Sequence, residues 1–104
     1  MPRFDVYANP ASEDRSAIPY FLDIQSDYLD GMESRVVIPL YLPSRFASPL
    51  RGLNPELKVG EKSFIMSTAE IAALPTDVLR RPVVNLASQQ LLIQDALDTL
   101  FGAY

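Results

Sequence analysis

The acidic side chains come closest to forming a reactive constellation. Asp23, Asp27 and Asp30 lie in one short stretch, where neighbouring carboxylates could trade protons or hold a cation. Their spacing matches no Ca²⁺ loop, and solvent-facing strand and turn carboxylates are the commoner outcome. Asp95 and Asp98 fall on one side of a helix, more as a solvated or partner-facing edge than as a catalytic pair. The chain has no His and no Cys. That removes the commonest general base near neutral pH, thiolate chemistry, disulfides and the commonest zinc ligands. No GxxxxGKS/T, GxSxG, GxGxxG or HExxH pattern occurs. The expectation is a protein without catalytic residues, metal or cofactor.

Apolar groups in unusual places point instead to binding. Chain ends are normally polar and frayed, yet this one closes Phe101-Gly102-Ala103-Tyr104. Phe101 and Tyr104 either seal the core or form a displayed aromatic tail. Tyr28 and Leu29, beside a turn, raise the same question, since exposed apolar groups there mark an interface. The net charge of −4 suits a protein partner better than phosphate backbones, which are gripped by Lys and Arg. Arg80-Arg81 reads as a solvated pair in a loop or at a helix start.

These residues sit on a chain of 104 residues, 48% hydrophobic, expected to form one domain over residues 1–104. No apolar run approaches the roughly 20 residues that span a bilayer. Met1-Pro2-Arg3-Phe4-Asp5 carries no apolar export segment, so a cytoplasmic location is expected. Phe4-Asp5-Val6-Tyr7 alternates like a half-buried strand, and Asn9 to Arg15 reads as a loop. Tyr20 to Gln25 alternates again, with Tyr20, Leu22 and Ile24 on one face. Asp30-Gly31 turns the chain into Arg35-Val36-Val37-Ile38-Pro39-Leu40-Tyr41-Leu42, a strand in which Pro39 suggests an edge or a bulge. The Pro-rich stretch from Pro43 to Pro55 reads as a surface excursion. Leu57 to Val59 and Ser63 to Met66 form a second hairpin around Gly60. Thr68 to Leu74 reads locally as a short helix. Leu86, Ile93, Ala96, Leu97, Leu100 and Phe101 recur at helical spacing. This predicts a helix from about residue 86 to about 101, capped by Asn85 or Ser88 and ended by Gly102. Strands followed by one terminal helix give a mostly β, α+β fold, an antiparallel sheet with the helix packed on it.

Phe21-Leu22-Asp23-Ile24-Gln25-Ser26-Asp27, then Asp30, then Arg35-Val36-Val37-Ile38-Pro39-Leu40 resembles the signature of the CcdB toxins. Val59-Gly60-Glu61, Phe64, Met66-Ser67-Thr68 and Leu74-Pro75 resemble that family's second half. The opening Phe4-x-Val6-Tyr7 and the closing Leu100-Phe101 also match, so the resemblance covers nearly the whole chain in order. It implies an SH3-like antiparallel β-barrel or sheet with a C-terminal helix, a homodimer, and a strand rather than a helix at Ala69–Leu74. It further implies a type II toxin that binds the A subunit of DNA gyrase and traps the enzyme on cleaved DNA. A partly disordered CcdA-like antitoxin would neutralise it, and the pair would repress its own operon, with DNA touched only through the antitoxin. The Pro43–Pro55 excursion offers a docking surface for that antitoxin, and Leu97 and Leu100 are candidates for the dimer contact.

Carried over position by position, the family's gyrase contacts fall on Arg3, Phe4, Tyr7, Ser26, Tyr28, Leu29, Asp98, Gly102, Ala103 and Tyr104, with Phe101 and Tyr104 as aromatic anchors. The tail departs from the family's Trp-Gly-Ile ending: an ungapped match puts Gly102 at the Trp, a shifted one puts Phe101 there. Two alternatives therefore stay open: a member that only binds its antitoxin and co-represses, and a ribonuclease, against which the missing His and the acidic balance count.

Overall fold

The alternating segments form strands β1 (Asp5–Ala8), β2 (Tyr20–Asp23) and β3 (Ser34–Tyr41), and the second hairpin forms β4 (Glu56–Val59) and β5 (Lys62–Met66). Strands β6 (Ala72–Pro75) and β7 (Pro82–Asn85) follow, and helix α1 (Gln90–Phe101) closes the order. The computed structural model describes residues 1–102; the two tail positions Ala103 and Tyr104 lie outside the described residues. The seven strands make one antiparallel sheet in the order β4-β5-β3-β2-β1-β7, with β6 paired to β3 off this path. It curls into a half-barrel carrying the helix, a mostly β fold consistent with the SH3-like class.

Period-two alternation sorts the side chains to two faces. Val6, Leu22, Ile38, Leu40, Leu57, Phe64 and Met66 point into the main core, which Ile93, Ala96 and Leu97 of α1 close. On the other face Tyr7 and Val37, flanked by Phe21 and Leu74, are covered by Leu79, Val78 and Met1. Both faces of the central strands are thus buried, which is why Val36 to Leu40 reads as an almost unbroken apolar run.

Several expectations are corrected. Pro39 lies in the central strand, not at an edge. Its ring nitrogen faces the side on which β3 changes partner, from β6 at Ser34–Val37 to β5 at Leu40–Tyr41. In that gap the Pro39 carbonyl accepts from the Ser67 amide, so no ladder donor is missed. Thr68 to Leu74 divides into a 3-10 turn at Thr68–Glu70 and strand β6. The helix begins at Gln90 rather than 86, after a 3-10 turn at Ala87–Gln89. Neither expected cap is used: among the described residues no side chain caps α1 or the turn before it, and Asn85 Oδ1 accepts instead from the Ala87 amide two residues on, at 2.8 Å. Leu97, expected at a dimer contact, belongs to the chain's own core. Strand β7 was not foreseen: Pro82-Val83-Val84-Asn85 pairs with β1.

The open ends of the curl are joined by one side chain. Gln89, in the turn after β7, uses its amide like a peptide group: Oε1 accepts from the Lys58 N–H and Nε2 donates to the Lys58 carbonyl, both at 2.8 Å. The edge of β4 is thereby tied to the segment that leaves β7. Gln89→Ala should lower the unfolding free energy by about 1 kcal/mol, read as a shift in urea midpoint at unchanged slope.

Candidate protein-binding site

The segment from Asp23 to Asp27 works as one polar scaffold. β2 stops at Asp23, and Gln25 continues its pairing by other means. The Gln25 Oε1 accepts from the Val36 amide at 2.9 Å, while Nε2 donates to the carbonyls of Ser34 at 3.1 Å and Leu29 at 3.4 Å. The Gln25 amide donates to Asp23 Oδ1 at 2.9 Å. Ser26 caps the 3-10 turn Asp27–Leu29 by accepting from the Tyr28 amide at 3.2 Å. Asp27 Oδ1 accepts from the Arg3 amide at 2.7 Å. The three carboxylates suspected of chemistry are spent on cations and amides: Asp23 on Arg35, Asp27 on the Arg3 amide, and Asp30 on the N-terminal ammonium at 3.1 Å with Arg35 Nη1 at 3.6 Å.

Beneath the turn lies a buried ion pair. Arg35 Nε donates to Asp23 Oδ2 at 2.8 Å and Nη2 to Asp23 Oδ1 at 3.1 Å, both side chains essentially without solvent. Nη2 also donates to the Met1 carbonyl at 2.9 Å. Nη1 makes no hydrogen bond but stands 3.6 Å from Asp30 Oδ1. Burial pushes the Asp23 carboxyl above its ordinary pKa, against the pull of Arg35 and the Gln25 amide. The N-terminal ammonium, with a smaller contribution from Arg35, holds Asp30 below its ordinary value. Burial, with Asp5 and Asp23 nearby, pushes the Tyr7 hydroxyl up to about 12.

This scaffold displays Tyr28, 92% exposed, with Leu29 and Met32 also in solvent. Phe101 is 68% exposed. It stands about 40° around the helix from Leu97, past the buried arc, and Gly102 ends the helix at φ +70°. Leu100 is half-buried, and Asp98 accepts from Gln94 Nε2 at 3.1 Å.

Of the carried-over positions near the start of the chain, Phe4 and Tyr7 lie beneath the surface. Phe4 belongs to the main core and Tyr7 to the second cluster, so neither side chain is offered to a partner in this conformation. Phe4 takes φ +75°, a strained conformation for an aromatic residue. Its amide donates to Asp23 and its carbonyl accepts from Leu86, which hold it there. Arg3 is half-buried, its Nε donating to the Ile24 carbonyl at 3.0 Å and its guanidinium 4.6 Å from the centre of the Phe4 ring. The turn and the helix end thus offer aromatic and apolar contact, and the buried positions shape the backbone under them. Sequence reasoning missed the exposed Leu91 and Leu92 on α1 and Val83 on β7. The first two break the polar face in plain view, whereas Val83 needed β7 to be recognised.

A curled antiparallel sheet with one C-terminal helix, displaying aromatic groups on a braced turn and at the helix end, defines a small SH3-like β domain. A family model described as CcdB protein matches residues 3–102. The chain therefore belongs to the CcdB family, and membership places it among the toxins of toxin–antitoxin systems. Among the described residues, no helix is long and apolar enough to cross a membrane.

Two outcomes follow from this geometry. Arg35→Met should cost about 3–5 kcal/mol, because Asp23 is left buried without its partner; chemical denaturation measures this. Tyr7 and Tyr41 both titrate near 12 in the fold against an ordinary 10, Tyr41 through burial and its bond to Glu70. The unfolded chain releases these protons first, so stability should fall as pH rises from 10 towards 12. Urea midpoints across that range test it, and Tyr41→Phe should show a shallower fall.

Proposed function

We propose that this toxin acts without chemistry of its own, by binding the A subunit of DNA gyrase and holding the enzyme in its DNA-cleaved state. The observation that carries the reading is the nearly complete exposure of Tyr28 on a turn fixed by Gln25, Ser26 and Asp27. An exposed aromatic ring on a rigid support loses little conformational entropy on docking, and such residues commonly dominate interface energies. A binder that prefers one state of a cycling enzyme raises the population of that state. The strand breaks then come from gyrase's own reaction.

In the same reading the toxin is a cytoplasmic homodimer, with Leu100 and the exposed Leu92 as apolar surface for a second copy. A CcdA-like antitoxin segment folds onto it and neutralises it. The exposed Leu50 of the Pro43–Pro55 excursion provides one apolar contact for that segment. The pair represses its operon, with DNA contacted through the antitoxin.

Tyr28→Ala and Phe101→Ala should each weaken binding to the gyrase A dimerisation region by about 2 kcal/mol, roughly thirtyfold, in a calorimetric titration. Removing residues 102–104 should abolish growth arrest on induction while leaving the circular dichroism spectrum unchanged. Full toxicity of the shortened chain would refute the assignment of the tail. Antitoxin binding by an intact chain that neither arrests growth nor binds gyrase would favour the co-repressor reading.

A further inference from the structure

We propose that the cavity between the β1–β2 and β6–β7 connections binds a small phosphate monoester. The cavity has a volume of about 260 Å³ and is lined by Arg15, Arg80, Arg81 and Asp77, with Pro10 and Val78 as apolar wall. Three of the chain's nine Lys and Arg residues meet there, in a protein of net charge −4. None of the ion pairs among the described residues involves these three. Three like charges gathered against the single carboxylate of Asp77 still repel one another, and an anion relieves that repulsion.

One member of the cluster is held rather than merely exposed. Arg15 Nε donates to the Asn9 carbonyl at 2.7 Å. Asn9 is itself buried, donating from Nδ2 to the Ile18 carbonyl and accepting at Oδ1 from the Ala11 amide, both at 2.9 Å. The planar head of Arg15 is therefore oriented with its two terminal nitrogens still available for the paired contact that guanidinium makes with phosphate. Arg80 and Arg81 follow Leu79, which is anchored in the second core cluster. They precede Pro82, where the β1–β7 register shifts between Val6 and Tyr7. Irregularities of this kind re-aim side chains at the margin of a sheet.

Charge and size select the ligand class. Three guanidinium groups against Asp77 leave the cavity near +2, which matches the −1.5 to −2 carried by a phosphate monoester near neutral pH. Asp77 can accept a hydrogen bond from a hydroxyl next to the phosphate. The volume lies just below the roughly 300 Å³ at which drug-sized ligand pockets begin, which favours a small ester. The cavity shares no residue with the Tyr28 turn or the helix end, so its fate and that of the gyrase reading are independent.

The test is a titration of the full chain, ¹⁵N-labelled, with inorganic phosphate and with glycerol 3-phosphate at constant ionic strength. Amides from Asp77 to Val83 should shift saturably, with Kd on the order of 1 mM or tighter, and glycerol 3-phosphate should bind more tightly. Arg15→Gln and Arg81→Gln, each checked for an unchanged spectrum elsewhere, should weaken binding at least about tenfold. Asp77→Ala, which removes both the charge and the acceptor, should tighten inorganic phosphate and remove the advantage of the ester. The proposal is overturned by a response that does not saturate, by an equal response to sodium chloride, or by unchanged affinity in both arginine variants. Binding of a polyglutamate peptide when neither phosphate saturates overturns it as well, in favour of an acidic peptide.

Discussion

Arg35 and Asp23 bring opposite charges into a place that water does not reach, and neither would be tolerated there alone. Removing an ion from water costs several kcal/mol, and only close, well-aligned pairing offsets it. Here the pairing is bidentate, at 2.8 and 3.1 Å. It also fixes geometry, since Asp23 ends β2 and Arg35 lies near the start of β3. A slip of one residue between these strands would send one charge into the main core. The pair therefore fixes the register of the central hairpin as well as adding to its cohesion. The same carboxylate accepts the Gln25 amide and the same guanidinium binds the Met1 carbonyl, so the turn and the amino terminus are set by one contact.

From that contact outward, the molecule replaces strand pairing with side-chain amides at two places where pairing runs out. Gln25 does so past the end of β2, and Gln89 does so at the outer edge of β4. Both satisfy a backbone donor and a backbone acceptor that would otherwise have only water. The result is a rigid frame whose exposed aromatic groups stand on ordered supports. That suits the proposed mode of action, docking on another macromolecule.

Much of this was legible in the residues. Alternation gave β1 to β3, the Gly60 hairpin gave β4 and β5, and the stripe of Ile93, Ala96 and Leu97 gave the helix. The parts that were not legible have physical causes. Pro39 signals an edge in isolation, but its nitrogen faces the gap between two successive partners, which only the assembled sheet reveals. β7 is four residues, all exposed, so it lacks the alternation that marks a half-buried strand. Helical spacing assigned Phe101 to the apolar stripe, yet the last turn extends past the core. Phe4 and Tyr7 resemble contact residues by position, whereas their burial comes from β7, Leu86 and Leu79, all more than seventy residues later in the chain. The convergence of Arg15 with Arg80 and Arg81 is equally invisible without the three-dimensional path.

The pairing of β1 with β7 has a consequence for how the molecule comes into being. Asn85 holds the Arg3 carbonyl and Asp5 Oδ1 across sequence separations of 82 and 80. Contacts of such separation are slow to form, because the chain must surrender the entropy of a long loop before they reward it. During synthesis the first strand leaves the ribosome early and waits unpaired on one side until β7 has emerged. The sheet is completed only when its newest strand meets its oldest. A nascent toxin is thus structurally unfinished, with Phe4 not yet fully covered, until β7 and Leu86 have emerged.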